Sequence, residues 1–366
     1  MPLLDARGLD ISFKSANGSI KVVCDLNFKI DEAEVFGLVG ESGCGKTLTA
    51  LSIIGILPQN AFAEGEIVFK GNNLLSLDKG SMRRLRGKEL SMIFQEPMTS
   101  LNPVLTVGYQ VAEVLMTHLG LSKKEAMSHV VELFKAVKIP SPEIRIKDYP
   151  HQMSGGMRQR VMIAMAIACK PSLLIADEPT TALDVTIQAQ ILDLLQKLRE
   201  EMKMAVLLIT HDLGIIAENA KKVAIMYAGR LMELMDVDEL FSNPRHPYAI
   251  GLLESLPKEK GTPLIPIPGS VPEPHKLPPG CKFSDRCRFV IPECREREPE
   301  LRPISSARNN STSPLSPNNP PIPPLEKGGK GGFEKGGQGR MTDSSLITHP
   351  SEHLVRCIRA EEIRWQ

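Results

Sequence analysis

The chain has 366 residues, 42% of them hydrophobic, enough for one sizeable α/β domain and a smaller appendage at about 100–200 residues per domain. With 44 Lys+Arg against 43 Asp+Glu the formal net charge is +1, so composition supplies no overall attraction to nucleic acid or acidic lipid. No run reaches the roughly 18 apolar residues of a membrane-spanning helix, and MPLLDARGLDISF lacks the basic start and apolar core of a secretory signal; a cytoplasmic setting is expected, where the seven cysteines are thiols or metal ligands before they are disulfides.

From Leu9 to about Val39 the short runs ISF, SIKVVCDLNFKI and VFGLVG predict strands, broken by Gly18 and the acidic DEAE turn. A Gly-rich loop follows, then TLTALSIIGIL, whose apolar spacing predicts a helix ended by Pro58. EGEIVFKGNNLLSL reads as a strand pair, and after SMIFQEP the residues from Thr106 to Lys138 carry helical periodicity, which places a helical subdomain at about 96–158. Beyond Gly155 and Gly156 come a helix, MRQRVMIAMAIAC, the buried-type strand LLIADEP, a helix, IQAQILDLLQKLREEM, and the strand AVLLITHD. Strands alternating with helices imply a mainly parallel sheet covered on both faces, a doubly wound α/β fold. VAIMYAGRLMELM predicts a closing strand pair, so a first domain spans 1–240. The remainder, 241–366, changes character: prolines crowd 257–279, cysteines cluster at 281–294, and about 308–345 forms a Pro/Gly/Asn/Ser-rich insertion expected to be disordered and dispensable.

GESGCGKT at 40–47 fits G-x-x-x-x-G-K-[ST] between a predicted strand and a predicted helix, the context in which this spacing cradles phosphates. Gly40, Gly43 and Gly45, with Glu41, Ser42 and Cys44 between them, turn backbone N–H groups toward the anion at a helix N-terminus; Lys46 neutralises the outer phosphates and the Thr47 hydroxyl is a candidate Mg²⁺ ligand. LLIADEP then offers Asp177 to hold the metal and Glu178 to orient or deprotonate an attacking water.

MSGGMRQR at 153–160 resembles the signature sequence of the ATP-binding cassette transporter family, although Met153 and Met157 stand where that family more often has Leu and Gln. The resemblance implies that Ser154, Gly155 and Gly156 bind the γ-phosphate of ATP held by the other subunit of a head-to-tail dimer. It further implies that Gln95 in FQEP senses metal and membrane partner, Asp184 in TALD lies between subunits, His211 in LLITHD meets the γ-phosphate, and Phe13 stacks on adenine. Thr47, Gln95 and Asp177 form the implied Mg²⁺ set.

QEPMTSLNP, HPYAIGLLESLP and LPPGCKFSDRC look like the ATP-binding subunits of oligopeptide and dipeptide uptake systems, whose pattern nickel, glutathione and opine systems share. The implied partners are two transmembrane permease subunits, a second ATP-binding subunit, identical or homologous, and indirectly a solute-binding protein. The implied place is the cytoplasmic face of the inner membrane, with no nucleic acid involved. A soluble cassette ATPase acting without a permease, or a redox or metal sensor, are the competing readings. Cys281, Cys287, Cys294 and Cys357 read as one metal site in a small Cys-rich C-terminal domain, against free thiols or a disulfide pair; four thiolates suit zinc as well as iron. The resemblance to peptide-uptake subunits implies a [4Fe–4S] cluster.

Overall fold

Leu26, Phe28 and Ile30 are buried in alternation with Asn27 and Lys29, the period of a strand that packs one face on a core. They belong to β2 (Gly18–Ile30), which pairs with β1 (Leu4–Ser15). The computed structural model describes residues 1–16, 18–95, 100–181, 183–256, 266–304, 353–363 and 365. The insertion expected at about 308–345 lies outside them, as do Glu96 and Pro97 of the FQEP motif.

After β3 (Val35–Val39) come β4 (Ala61–Phe69) and β5 (Asn72–Asn73), which complete an antiparallel sheet in the order β2-β1-β4-β5. The larger sheet is built from β3 with β6 (Leu90–Ile93), β7 (Leu173–Asp177), β8 (Ala205–Thr210), β9 (Lys222–Tyr227) and β10 (Arg230–Asp236). Its pairs β6/β7, β7/β8, β3/β8 and β3/β9 are parallel, and the β9/β10 hairpin turns antiparallel. Every residue of β7 and β8 is buried, as expected of strands covered on both faces.

The two faces are covered differently. Leu174, Ala176, Val206 and Leu208 point into a core shared with helices Val107–Leu119, Lys123–Ala136, Gly155–Ile167 and Val185–Met202. Their neighbours Leu173, Ile175, Ala205 and Leu207 point the other way, into a core shared with helix Lys46–Ile53 and the antiparallel sheet. The first helix stops at Ile53, short of the stop expected at Pro58, and Gly55 then takes a φ of +65°. Among the described residues no helix is long and apolar enough to cross a membrane.

Toward the C-terminus, helix Pro247–Glu254 buries Tyr248, and β11 (Arg302–Pro303) and β12 (Leu354–Val355) extend the larger sheet beyond β10. His353 is held between the buried carboxylate of Glu233, at 2.6 Å, and Glu239, at 2.7 Å. The Arg356 guanidinium donates to the carbonyls of Leu231 and Pro299.

Candidate nucleotide site

β3 delivers the chain into the loop of residues 40–45, and helix Lys46–Ile53 begins directly behind it. Gly45 has a φ of +107°, and a Cβ there would sit 2.8 Å from the side chains of Met226 and Val23; at Gly40 a Cβ would run into the carbonyl oxygen of Met226. Conformation and packing therefore both demand glycine in this loop. The buried Lys46 ammonium donates to the carbonyls of Gly40, at 2.7 Å, and Glu41, at 3.1 Å, which fixes it inside the turn. A lysine charge and the positive end of a helix thus meet at this loop, the arrangement that attracts a phosphate chain.

The adjacent ends of β7 and β8 supply the acids and the imidazole. Asp177 is buried; burial raises its carboxyl above the ordinary range and the neighbouring Glu178 charge adds to this, while Thr47 and Lys46 pull it down. Its Oδ1 is enclosed without a hydrogen-bond partner, an orphaned acceptor on a carboxyl that Thr47 and Lys46 also influence. Glu178 takes a φ of +46°, uncommon for a non-glycine residue, and so leaves the strand direction. Its carboxylate accepts from Gln95 Nε2 at 3.0 Å and Thr181 Oγ1 at 2.9 Å, and lies 3.2 Å from His211 Nδ1. Burial alone would raise the Glu178 carboxyl, but hydrogen bonding by His211 and Thr181, with the charges of His211 and Lys46, holds it below the usual range. It stays an anion at neutral pH.

Ser154 caps helix Gly155–Ile167, its hydroxyl accepting from the Met157 N–H at 3.3 Å, and Asp184 caps helix Val185–Met202 through the Ile187 N–H at 3.0 Å. The two caps are neighbours: Gly156 packs beside Ile187 and Gly155 beside Leu183. Gln159 Nε2 donates to the Pro179 carbonyl at 2.6 Å, tying this helix to the DEP turn. Ser154, Asp184 and Val185 are exposed, and among the described residues no hydrogen bond links residues 154–156 to the loop at 40–47. Phe13 sits half-buried in β1, opposite Ile20 and Ala61.

Sequence reasoning missed two contacts on the loop. The Arg286 guanidinium clasps both carboxylate oxygens of Glu41, at 2.8 and 3.1 Å, and the Tyr248 hydroxyl accepts the Glu41 backbone N–H at 3.0 Å. Both motifs were visible, HPYAIGLLESLP and FSDRC, but nothing in their spacing says what they touch. Thr181 was missed as well, although it stands three residues after Glu178, the spacing of a turn.

Cys281, Cys287, Cys294 and Cys357 line one small cavity with Phe283 and Phe289. Burial pushes the Cys281 thiol up to about 11 and the Cys357 thiol up to about 12, and the charges of the other cysteines add to each. Among the described residues, however, no three His, Cys, Asp or Glu side chains are grouped so as to hold a metal ion. The structure therefore gathers the four cysteines without forming a metal-ready cage.

A family model described as ABC transporter matches residues 23–181, and one described as oligopeptide/dipeptide transporter, C-terminal region, matches residues 232–294. The chain is 50% identical over 307 residues to the "Probable peptide ABC transporter ATP-binding protein" of Sinorhizobium fredii, covering 82% of this chain and 92% of that one. It is 48% identical over 296 residues to the oligopeptide transport ATP-binding protein OppD of Haemophilus influenzae, covering 80% and 92%. Among solved structures, the dimeric post-hydrolysis state of the ATP-binding cassette MJ0796 bound to ADP and Pi aligns with a TM-score of 0.58 at 26% identity, over 64% of this chain and 98% of that chain. A phosphate-type loop, an acid pair at the end of β7 and identity near one half across four fifths of the chain converge, and the chain belongs to the ATP-binding cassette transporter family, among its peptide-transport ATP-binding subunits.

Proposed function

We propose that the chain is the ATP-hydrolysing subunit of an importer of oligopeptides or dipeptides, seated on the cytoplasmic face of the inner membrane against two permease subunits. The observation that carries the reading is the cluster at the strand ends, where the Glu178 carboxylate is bound by Gln95 and His211 beside the Thr47–Asp177 pair. ATP phosphates lie along residues 40–47, with Lys46 on the outer phosphates. Thr47, Asp177 and Gln95 would hold Mg²⁺, whose part is to neutralise phosphate charge; the buried, unpartnered Asp177 Oδ1 fits that role. Glu178 takes the proton of an attacking water held against the γ-phosphate, and His211 and Gln95 keep its carboxylate aimed.

Ser154, Gly155 and Gly156 complete the site of a partner subunit, identical or homologous, in a head-to-tail dimer. Supporting this, Ser154 and Asp184 crown two helix N-termini on one exposed patch, and Val185 beside them keeps 84% of its surface in solvent, an apolar side chain suited to burial between subunits. Permease docking finds support in an open groove of about 240 Å³ lined by Ile54, Met92, Phe94 and Met162, with Phe94 adjoining Gln95. A solute-binding protein supplies substrate outside the membrane. ATP contacts both halves only when the dimer is closed, so its differential affinity drives the motion passed to the permease.

The four cysteines would hold a [4Fe–4S] cluster, which would staple the C-terminal segment. What supports the reading is that Cys281, Cys287, Cys294 and Cys357 line one cavity, and four thiolates suit zinc as well as iron. The experiment that tests the whole reading is reconstitution with the co-purified membrane subunits. Peptide-stimulated ATP hydrolysis that rises with subunit concentration is expected. Hydrolysis equally fast per chain in dilute, isolated monomer overturns the shared site, and isolation without any membrane subunit overturns the transport role.

A further inference from the structure

A loop that binds a triphosphate carries an acidic side chain, Glu41, one residue into its turn. Left alone, that carboxylate would repel the ligand the loop exists to hold. Its charge is answered from far along the chain. Arg286 meets it in a two-pronged ion pair, at 2.8 and 3.1 Å, and is itself almost enclosed, with 6% of its side chain exposed against 28% for Glu41. Paired forks of this kind fix geometry as well as charge.

The Arg286 side chain is held on every side. Its Nε donates to the Pro268 carbonyl at 2.8 Å, its Nη2 to that of Gly269 at 3.3 Å, and its plane lies 5.6 Å from the centre of the Tyr227 ring. Tyr227, Tyr248 and Phe283 pack together beneath it, and the Tyr248 hydroxyl takes the Glu41 N–H. The guanidinium therefore cannot follow Glu41 if the loop shifts; the loop is referenced to the C-terminal segment.

We infer that Arg286 is a positioning residue for nucleotide binding: it neutralises Glu41 and fixes the first turn of the phosphate loop, so that ATP affinity depends on the C-terminal segment. The inference deepens the proposed function and rests on residues 40–47 being the ATP loop. Equilibrium binding of MgATP is to be measured for wild type, Arg286→Ala, and the Glu41→Gln/Arg286→Ala pair, with KM and kcat in the reconstituted complex. Arg286→Ala is expected to weaken binding about tenfold, or about 1.4 kcal/mol, with the loss appearing in KM. Removing the Glu41 charge in that background is expected to restore affinity to within about threefold, a rescue that lost packing alone would not give. Arg286→Gln, which keeps a donor for the Pro268 carbonyl, replaces the alanine variant if that one does not fold. An unchanged affinity in the Arg286 variants, or no recovery in the double variant, overturns the inference; wild type that binds no MgATP overturns the reading of the loop as well.

Discussion

Gln95 Nε2 donates to Glu178 Oε2 across 3.0 Å, joining the residue two beyond the edge strand β6 to the residue one beyond its neighbour β7. The acid is thereby aimed by a residue from the segment that borders the apolar groove beside Phe94. Glu178→Gln keeps the shape and the acceptor for Gln95 and removes the base. Hydrolysis is expected to fall by about 10²–10⁴ while MgATP affinity stays within a fewfold. Phosphate release and equilibrium binding, both with the permease present, check this; full turnover removes Glu178 from the proton-accepting role.

Asp184 caps a helix of 18 residues and is proposed to face the partner subunit, and two substitutions separate these roles. Asp184→Ala is expected to cost about 1 kcal/mol of stability, while Asp184→Asn, which caps as well, costs little. Denaturant unfolding gives the first number. A turnover defect in the Asn variant, measured in the assembled complex, then reports the interface; full turnover there leaves Asp184 only a cap.

Glu298 ties the C-terminal segment to β10 through Arg230 and to Lys282 at 3.1 Å. Burial would raise its carboxyl, but hydrogen bonding and charge from Arg230, then Lys282, hold it below the ordinary value of 4.5. A depressed folded value means that this contribution is whole above about pH 4.5 and is lost as pH falls through the folded value. Glu298→Gln is therefore expected to be less stable than wild type by roughly 1–3 kcal/mol at pH 7, with the gap narrowing in acid below pH 4. Denaturation curves at both pH values test the sign, and a gap independent of pH contradicts it.

For the cysteine cavity, anaerobic purification followed by iron, sulfide and zinc analysis is expected to give about four irons and four sulfides per chain, reduced in Cys287→Ser. Zinc without sulfide, or no metal, contradicts the cluster.

The loop at 40–47 was legible because its spacing and its flanking strand and helix are both local in sequence. So were the parallel strands, whose uninterrupted apolar runs at 173–176 and 205–209 leave few alternatives. The layering was less legible. Alternate residues of one strand enter different cores, and one of those cores is roofed by an antiparallel sheet from the first 73 residues, a pairing that periodicity does not encode. The Glu41–Arg286 pair joins residues 245 positions apart, and each alone reads as an ordinary surface charge. The Glu178 backbone turn was equally hidden, since an acid at positive φ has no sequence signal.

The short strands β11 and β12 close on each other at the sheet edge, with Pro303 opposite Leu354 and the chain between them leaving and returning at one place. The entropy of closing such a loop grows only with the logarithm of its length, about 0.6 kcal/mol for each doubling. Residues that lengthen this excursion cost the fold little so long as His353 and Arg356 keep their anchors on Glu233 and Leu231. Insertions or deletions between Pro303 and Leu354 are thus expected to be tolerated where those anchors are kept, and thermal unfolding of such variants checks it.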